Sequence, residues 1–170
     1  RMSASPAFAV GSTDAHWFTR NDDVMGGHSR SHVEVQAGVL RFSGTTSLAD
    51  NGGFASIRAR GAFDLRDATE MRLRVRGDGR VYQLRLSTDA RYRDSRVSWR
   101  GEFDTRAGEW IEATIVFADM VPTWRGTVLY GPALDLSKVE EVGLLIADGQ
   151  AGDFLLEVDW INPQKPAGDD

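Results

Sequence analysis

The sequence predicts an all-β fold, an antiparallel β-sandwich or jelly roll, and three observations carry that prediction. Apolar and polar side chains alternate with period two along most of the chain, and the alternation breaks every eight to twelve residues at turns containing glycine or aspartate. No segment sustains the spacing of an amphipathic helix, in which apolar residues return every three or four positions. About ten strands with few helices must pair into two sheets, because a strand with one apolar face needs a second layer to bury it.

In chain order, residues 32–36 (HVEVQ) and 39–44 (VLRFSG) make two strands about a Gln36-Ala37-Gly38 turn. Asn51-Gly52-Gly53 reads as the next turn, and residues 54–61 (FASIRARG) then send Phe54, Ser56, Arg58 and Arg60 to one face and Ala55, Ile57 and Ala59 to the other. Residues 71–76 (MRLRVR) place Met71, Leu73 and Val75 opposite Arg72, Arg74 and Arg76. Asp78-Gly79 has the composition of a tight hairpin turn needing positive φ. The expected return strand sets Tyr82, Leu84 and Leu86 against Val81, Gln83 and Arg85. Residues 96–105, 110–117, 142–148 and 154–161 are further strands, and LDLSKVEEV (134–142) has room for one helical turn. The expected domain spans 17–161, after a lead-in of residues 1–16 and before a flexible tail, 162–170, that has no apolar anchor.

With 170 residues, 41% of them hydrophobic, the chain buries a core as a single domain. It has no cysteine, which excludes disulfides, thiol nucleophiles, thiolate zinc and iron–sulfur sites. No apolar run approaches the roughly 20 residues of a membrane helix. The first ten residues lack a long apolar signal core, and Arg1 is not an initiator. A cytoplasmic location is the expectation, or an exported one if a leader was removed. The net charge of −5 is unevenly spread. Residues 1–57 carry four arginines against five acids, 58–100 twelve against six, and 101–170 four bases against fourteen acids. The basic middle is expected to lie against the acidic end and be neutralised there.

Three groups of residues stand out. In NDDVMGGHS (21–29), Gly26 and Gly27 permit positive φ or close backbone approach, Asn21 and Asp22 can accept from main-chain donors, and Val24 and Met25 supply an apolar anchor. A structural clasp is the leading reading, because Asx and glycine clusters usually mark turns. The alternative is a polar pocket formed by Asn21, Asp22 and Ser29. No dense run of alternating carboxylates marks a calcium loop, and no metal is expected. Arg58, inside a regular strand, requires a carboxylate, and Asp22 or Asp23 is the expected partner; left unpaired, it would bind anions. The third group is aromatic: Tyr82, Trp99, Trp110 and Trp124. Core placement is the leading reading, with Trp124 the best candidate for an exposed ring and Arg125 beside it to donate a directional hydrogen bond.

The same residues argue against an enzyme. His28 and His32 would sit about 13 Å apart along a strand, too far to share a metal. GGHS lacks the G-x-S-x-G elbow, and neither a phosphate loop nor a dinucleotide fingerprint is present, so no cofactor and no catalytic residue is assigned.

Taken in order, NDDVMGGHS, RFSGTTSLADNGGFASIRAR, LRVRGDGRVYQLRL, FADMVPTWRG and VGLLIADGQAGDFLLEVDWI, from about Trp17 to Ile161, resemble the family of the complex I intermediate-associated protein of 30 kDa, the CIA30 domain. The resemblance implies a galactose-binding-like sandwich and a non-catalytic role in assembling a protein complex. The family's mitochondrial member helps build respiratory complex I, and relatives in photosynthetic organisms join the domain to a dinucleotide-binding fold. The expected partner is therefore a protein, a complex subunit or assembly intermediate, recognised by one sheet face or by loops bearing Asn21, Asp22, Asn51 and Arg58. Met25, Gly26, Gly27, Ser29, Gly52, Gly53, Tyr82, Trp124 and Arg125 complete the set of binding or clasp candidates. A carbohydrate-binding module is the alternative, and it predicts exposed aromatic rings beside polar groups. An RNA-binding factor is a second alternative that requires Arg72, Arg74, Arg76 and Arg85 to form one exposed stripe.

Overall fold

The structure, a computed structural model, describes residues 16–21, 27–49 and 52–165. Twelve strands in these residues pair into two sheets. Strands β1 (Trp17–Thr19), β4 (Ala55–Phe63), β6 (Val81–Tyr92), β7 (Ser95–Asp104), β9 (Val121–Trp124), β10 (Thr127–Val128) and β11 (Val139–Ile146) form the larger one, in the order β1-β4-β11-β6-β7-β9-β10. The smaller contains β2 (Arg30–Gln36), β3 (Val39–Thr46), β5 (Glu70–Arg76), β8 (Trp110–Val116) and β12 (Gly152–Gln164), in the order β2-β3-β12-β5-β8. Every neighbouring pair is antiparallel. The protein is an antiparallel β-sandwich.

Alternation decides which side chains meet between the sheets. Leu40 and Phe42 of β3, Met71, Leu73 and Val75 of β5, and Leu156, Val158 and Ile161 of β12 face Ile57 of β4, Tyr82, Leu84 and Leu86 of β6, Trp99 of β7, and Val142, Leu144 and Ile146 of β11. Burying a Val, Leu or Ile side chain in such a layer stabilises the fold by about 1.5–3 kcal/mol. Phe42, Tyr82 and Phe154 add edge-to-face contacts at centroid distances of 4.8–6.5 Å. At the expected Gln36-Ala37-Gly38 turn, Ala37 and Gly38 both have positive φ, 53° and 79°, which matches the right-handed twist of the β2–β3 hairpin.

Asp78-Gly79 does not close a hairpin. The strand before it, β5, pairs with β8 and β12, and the strand after it, β6, pairs with β7 and β11, so the turn carries the chain from one sheet to the other. Tertiary bonds hold the crossing in place of ladder bonds. The Asp78 carboxylate accepts from the Arg80 N–H (3.1 Å), the Leu155 N–H (2.8 Å) and the Tyr82 hydroxyl (3.0 Å). Gly77 packs on Thr105, where a Cβ would come within 2.4 Å of the threonine side chain. Arg80, next in line, donates to both Asp148 carboxylate oxygens (2.8 and 2.6 Å), to the Gly152, Asp153 and Gln150 carbonyls, and to Thr46 Oγ1. One guanidinium thus ties the start of β6 to the end of β3 and to the loop between β11 and β12. The expected one-turn helix at 134–142 is a turn followed by the start of β11. A 3-10 turn, Phe117–Asp119, follows β8. β12 also continues through Gln164, with Asn162 buried, three residues past the expected end of the domain.

Candidate functional site

The inner face of the larger sheet is apolar, as in any sandwich, but its outer face is polar and largely buried. Ser56, Arg58, Gln83, Ser87, Thr123 and Glu141 are all less than one tenth exposed there. The register brings cations into one transverse row: Arg58 stands opposite Gly143, Gly143 opposite Arg85, Arg85 opposite Arg100, and Arg100 opposite Val121. Arg58 reaches across β11 because Gly143 has no side chain; a Cβ there would lie 2.6 Å from Arg58 Cδ.

A single carboxylate, Glu141, serves one end of the row. Its Oε1 accepts from Arg58 at 3.2 Å and lies 3.6 Å from Arg20, and its Oε2 accepts from Arg60 at 3.2 Å. Among the described residues the carboxylate that pairs with Arg58 is Glu141, 83 positions along the chain; Asp22 and Asp23, the aspartates expected from NDDVMGGHS, lie outside the described residues. Burial holds the Arg58 proton affinity below the usual arginine value, against the pull of Glu141.

At the other end there is no such partner. The Arg85 guanidinium donates to Ser98 Oγ (3.1 Å), Gln83 Oε1 (2.8 Å) and Thr123 Oγ1 (3.2 Å), all neutral acceptors. Among the described residues neither Arg85 nor Arg100 has a carboxylate within ion-pair distance. Burial, then Arg58 and Arg100, pull the Arg85 pKa down to about 9. Since arginine does not shed its proton near neutrality, the charge remains and is unfavourable there. Glu102 is on the same outer face, opposite Gln83, and is exposed.

The other arginines behave differently. Arg72 pairs with Glu70 (2.6 Å), Arg74 with Asp159 (3.2 Å), and Arg76 with Glu157 (2.7 Å), on the smaller sheet. The Arg74 and Arg76 guanidiniums also lie 5.1 and 5.0 Å from the Trp110 ring centroid. The stripe required for RNA binding does not form, because Arg85 is on the opposite sheet and the other three are laced to acids of β5 and β12. The expected neutralisation of the basic middle by the acidic end holds at Arg74 and Arg76, whereas Arg72 pairs with Glu70 of the middle segment itself.

Asn21 is a clasp between the sheets. Its Oδ1 accepts from the Ser31 hydroxyl of β2 (2.7 Å) and from the Ser56 N–H of β4 (3.1 Å), and the Ser56 hydroxyl in turn donates to the Arg20 carbonyl. Buried Ser29 accepts from the Ser47 N–H at 3.0 Å. The Gly52 N–H donates to the Ala49 carbonyl at 2.9 Å, and Gly53 has φ 131° and packs close to Leu48, so both serve a turn. Gly27 is buried. Asp22, Asp23, Met25, Gly26 and Asn51 lie outside the described residues.

Tyr82 is fully buried and belongs to the core, not to a binding surface. Burial, with Asp78 second, raises its hydroxyl pKa. Trp124 is half-buried with its indole N–H enclosed, and it packs edge-on against Tyr92 at 5.2 Å. Arg93 and Arg125, both at positive φ, place their guanidiniums 5.5 and 5.3 Å from the Trp124 centroid, and Arg125 pairs with Asp94 at 3.0 Å. These rings are engaged by the chain's own cations. Elsewhere, an apolar groove of about 470 Å³ opens beside the 3-10 turn, lined by Trp99, Val116, Phe117, Pro132 and Leu134 among others. Among the described residues no three His, Asp or Glu side chains converge as a metal site, and no helix is long and apolar enough to cross a membrane.

Three comparisons bear on this geometry. The model of the family described as Complex I intermediate-associated protein 30 (CIA30) matches residues 7–158. The mitochondrial Complex I intermediate-associated protein 30 of Mus musculus is 26% identical over 167 residues, covering 85% of this chain and 51% of its own length. The chain thus spans about half of that relative. Among solved structures, the family 11 carbohydrate-binding module of the cellulase Lic26A-Cel5E of Clostridium thermocellum superposes with a TM-score of 0.62 at 11% identity, covering 93% of this chain and 92% of that one. A solution structure of CtCBM11 gives a TM-score of 0.66 at 13% identity, with 94% of each chain covered. At such identities the likeness is one of fold.

Proposed function

The chain belongs to the CIA30 family, and from that membership together with the outer face of the larger sheet we propose that it is a non-catalytic binding module that serves the assembly of a protein complex, of the respiratory complex I type. The observation that carries this reading is the arginine row. Of five arginines there, Arg20, Arg58 and Arg60 share one carboxylate, Glu141, while Arg85 and Arg100 have none within ion-pair distance among the described residues, and hydroxyls and an amide surround Arg85. Such a surface lacks a nucleophile and a poised general base, and it has unspent hydrogen-bond donors aimed outward. It suits recognition of a partner better than turnover of a substrate.

The carbohydrate alternative draws on the fold and on the Tyr92–Trp124 pair. Arg93 and Arg125 lie against those rings, and Phe18, opposite Arg58 in the arginine row, already has the Arg20 and Arg60 guanidiniums against its ring.

The test is purification of the endogenous protein from its native host after mild cross-linking. Specific recovery of membrane-complex subunits or their assembly intermediates is expected. Recovery of nothing above background, with a positive signal on a glycan array, would replace the proposal by the carbohydrate reading.

A further inference from the structure

Resting on that binding-module reading, we infer that Arg85 and Arg100, flanked by Arg58, form a receptor for a carboxylate on an acidic segment of a partner protein. The two residues are cross-strand partners on neighbouring β6 and β7, with side chains on the same outer face. Like charges placed directly opposite destabilise a sheet, and this pair has no counter-ion within the described chain. Glu141 is already shared by Arg20, Arg58 and Arg60.

The Arg85 guanidinium is also pre-positioned. Ser98, Gln83 and Thr123 engage Nε–H and one N–H on each terminal nitrogen, which leaves two of its five N–H groups unspent. A carboxylate presents two oxygens in one plane, matches a guanidinium fork, and would relieve the repulsion between the two arginines.

Charge and surroundings select the kind of ligand. Glu102 on the same face and the chain's net charge of −5 work against a polyanion such as a nucleic acid. Phe18, opposite Arg58, has the Arg20 and Arg60 guanidiniums against its ring, and Gly143 and Val121, the neighbours that flank Arg85 and Arg100, carry no ring, which works against a sugar at this pair. A glutamate or aspartate carried by an extended protein segment fits both conditions.

Arginine Nε–Hε NMR signals of the full chain provide the readout. The probes are acetyl-Gly-Glu-Gly-Glu-Gly-amide, its glutamine counterpart, inorganic phosphate and a galacturonic acid trimer. Saturable shifts of the Arg85 and Arg100 signals with the glutamate peptide are expected, with affinity at least tenfold weaker for the glutamine peptide. Arg85→Gln and Arg100→Gln should each abolish the shifts without lowering the melting temperature, because each removes an uncompensated charge. Should Arg85→Gln fail to fold, Arg100→Gln, in the more open position, decides the matter. Equal or absent responses to the two peptides, or binding retained in both variants, would overturn the inference. Tighter binding of phosphate or of the trimer at these arginines would equally overturn it, in favour of a different anion. Capture of the same partner subunits by both variants would sink this site while leaving the binding-module reading intact.

Discussion

Gly143 lies beneath Arg58: a Cβ at position 143 would come within 2.6 Å of Arg58 Cδ and 3.0 Å of the Ile57 carbonyl oxygen. The glycine is what allows the Arg58 side chain to lie over β11, on which Glu141 stands two residues away. Gly143→Ala should therefore destabilise the fold by about 1–3 kcal/mol, the usual cost of overpacking a filled site. Urea denaturation of the single variants and of Gly143→Ala/Arg58→Ala checks it. The double variant should lose less than the sum, since removing Arg58 clears the space that the methyl needs.

Glu141 is a shared counter-ion, so its removal should harm more than removal of any one arginine. Glu141→Gln leaves buried Arg58 without a carboxylate, and a loss of about 3 kcal/mol or more is expected. Arg60→Ala, on an exposed side chain, should cost less than about 1 kcal/mol. Thermal and chemical denaturation of the two variants would refute the shared-ion arrangement if the order were reversed.

The Arg80–Asp148 pair makes the fold sensitive to acid. Hydrogen bonds from Arg80 hold the Asp148 carboxyl below the usual carboxylate range. A depressed folded-state pKa contributes stability that is complete above the unfolded value, about 3.9, and is lost as pH falls through the folded value below it. The wild-type urea midpoint should thus drop between about pH 4 and pH 2. Asp148→Asn should show a lower midpoint at neutral pH and a shallower fall over the same window. Parallel curves for the two proteins would contradict this assignment.

Asn21 joins the sheets through one acceptor atom that serves two donors. Asn21→Ala orphans the buried Ser56 N–H and should cost about 1–3 kcal/mol. Asn21→Asp keeps the acceptor and should retain most of that stability at pH 7. Melting temperatures of the pair would tell a clasp from a ligand-contact residue, which would tolerate alanine.

The strands of the core were legible because their apolar side chains alternate without interruption, as in Met71-Leu73-Val75 and Tyr82-Leu84-Leu86. β1, β9 and β10 run for three, four and two residues, too short for any period to show. Asp78-Gly79 misled because a dipeptide suited to a tight turn does not say which sheet the chain enters next; bonds to Leu155, remote in sequence, decide that. An Asx residue beside glycines suggested local bonding for Asn21, whereas its acceptor serves Ser31 of β2 and Ser56 of β4, partners that only the sheet packing brings near. For Arg58 the need for a carboxylate was legible, but its identity was not, since Glu141 reaches it only through the β4–β11 pairing. Arg85 and Arg100 were hidden for the same reason: their opposition exists only in register. Trp124 was placed by composition, whereas its engagement by Arg93 and Arg125 depends on two left-handed backbone positions that local sequence does not mark.

β12 is the last strand among the described residues and the central strand of the smaller sheet, between β3 and β5. On the ribosome, β3 and β5 therefore each emerge with an unpaired edge and wait, for β5 alone, about 250 Å of extended chain before their common partner appears, at about 3.3 Å per residue from Arg76 to Gly152. The sandwich cannot close vectorially. Its nascent form presents open sheet edges until β12 has emerged, so late closure and a need for protection from edge-to-edge association follow from the strand order alone.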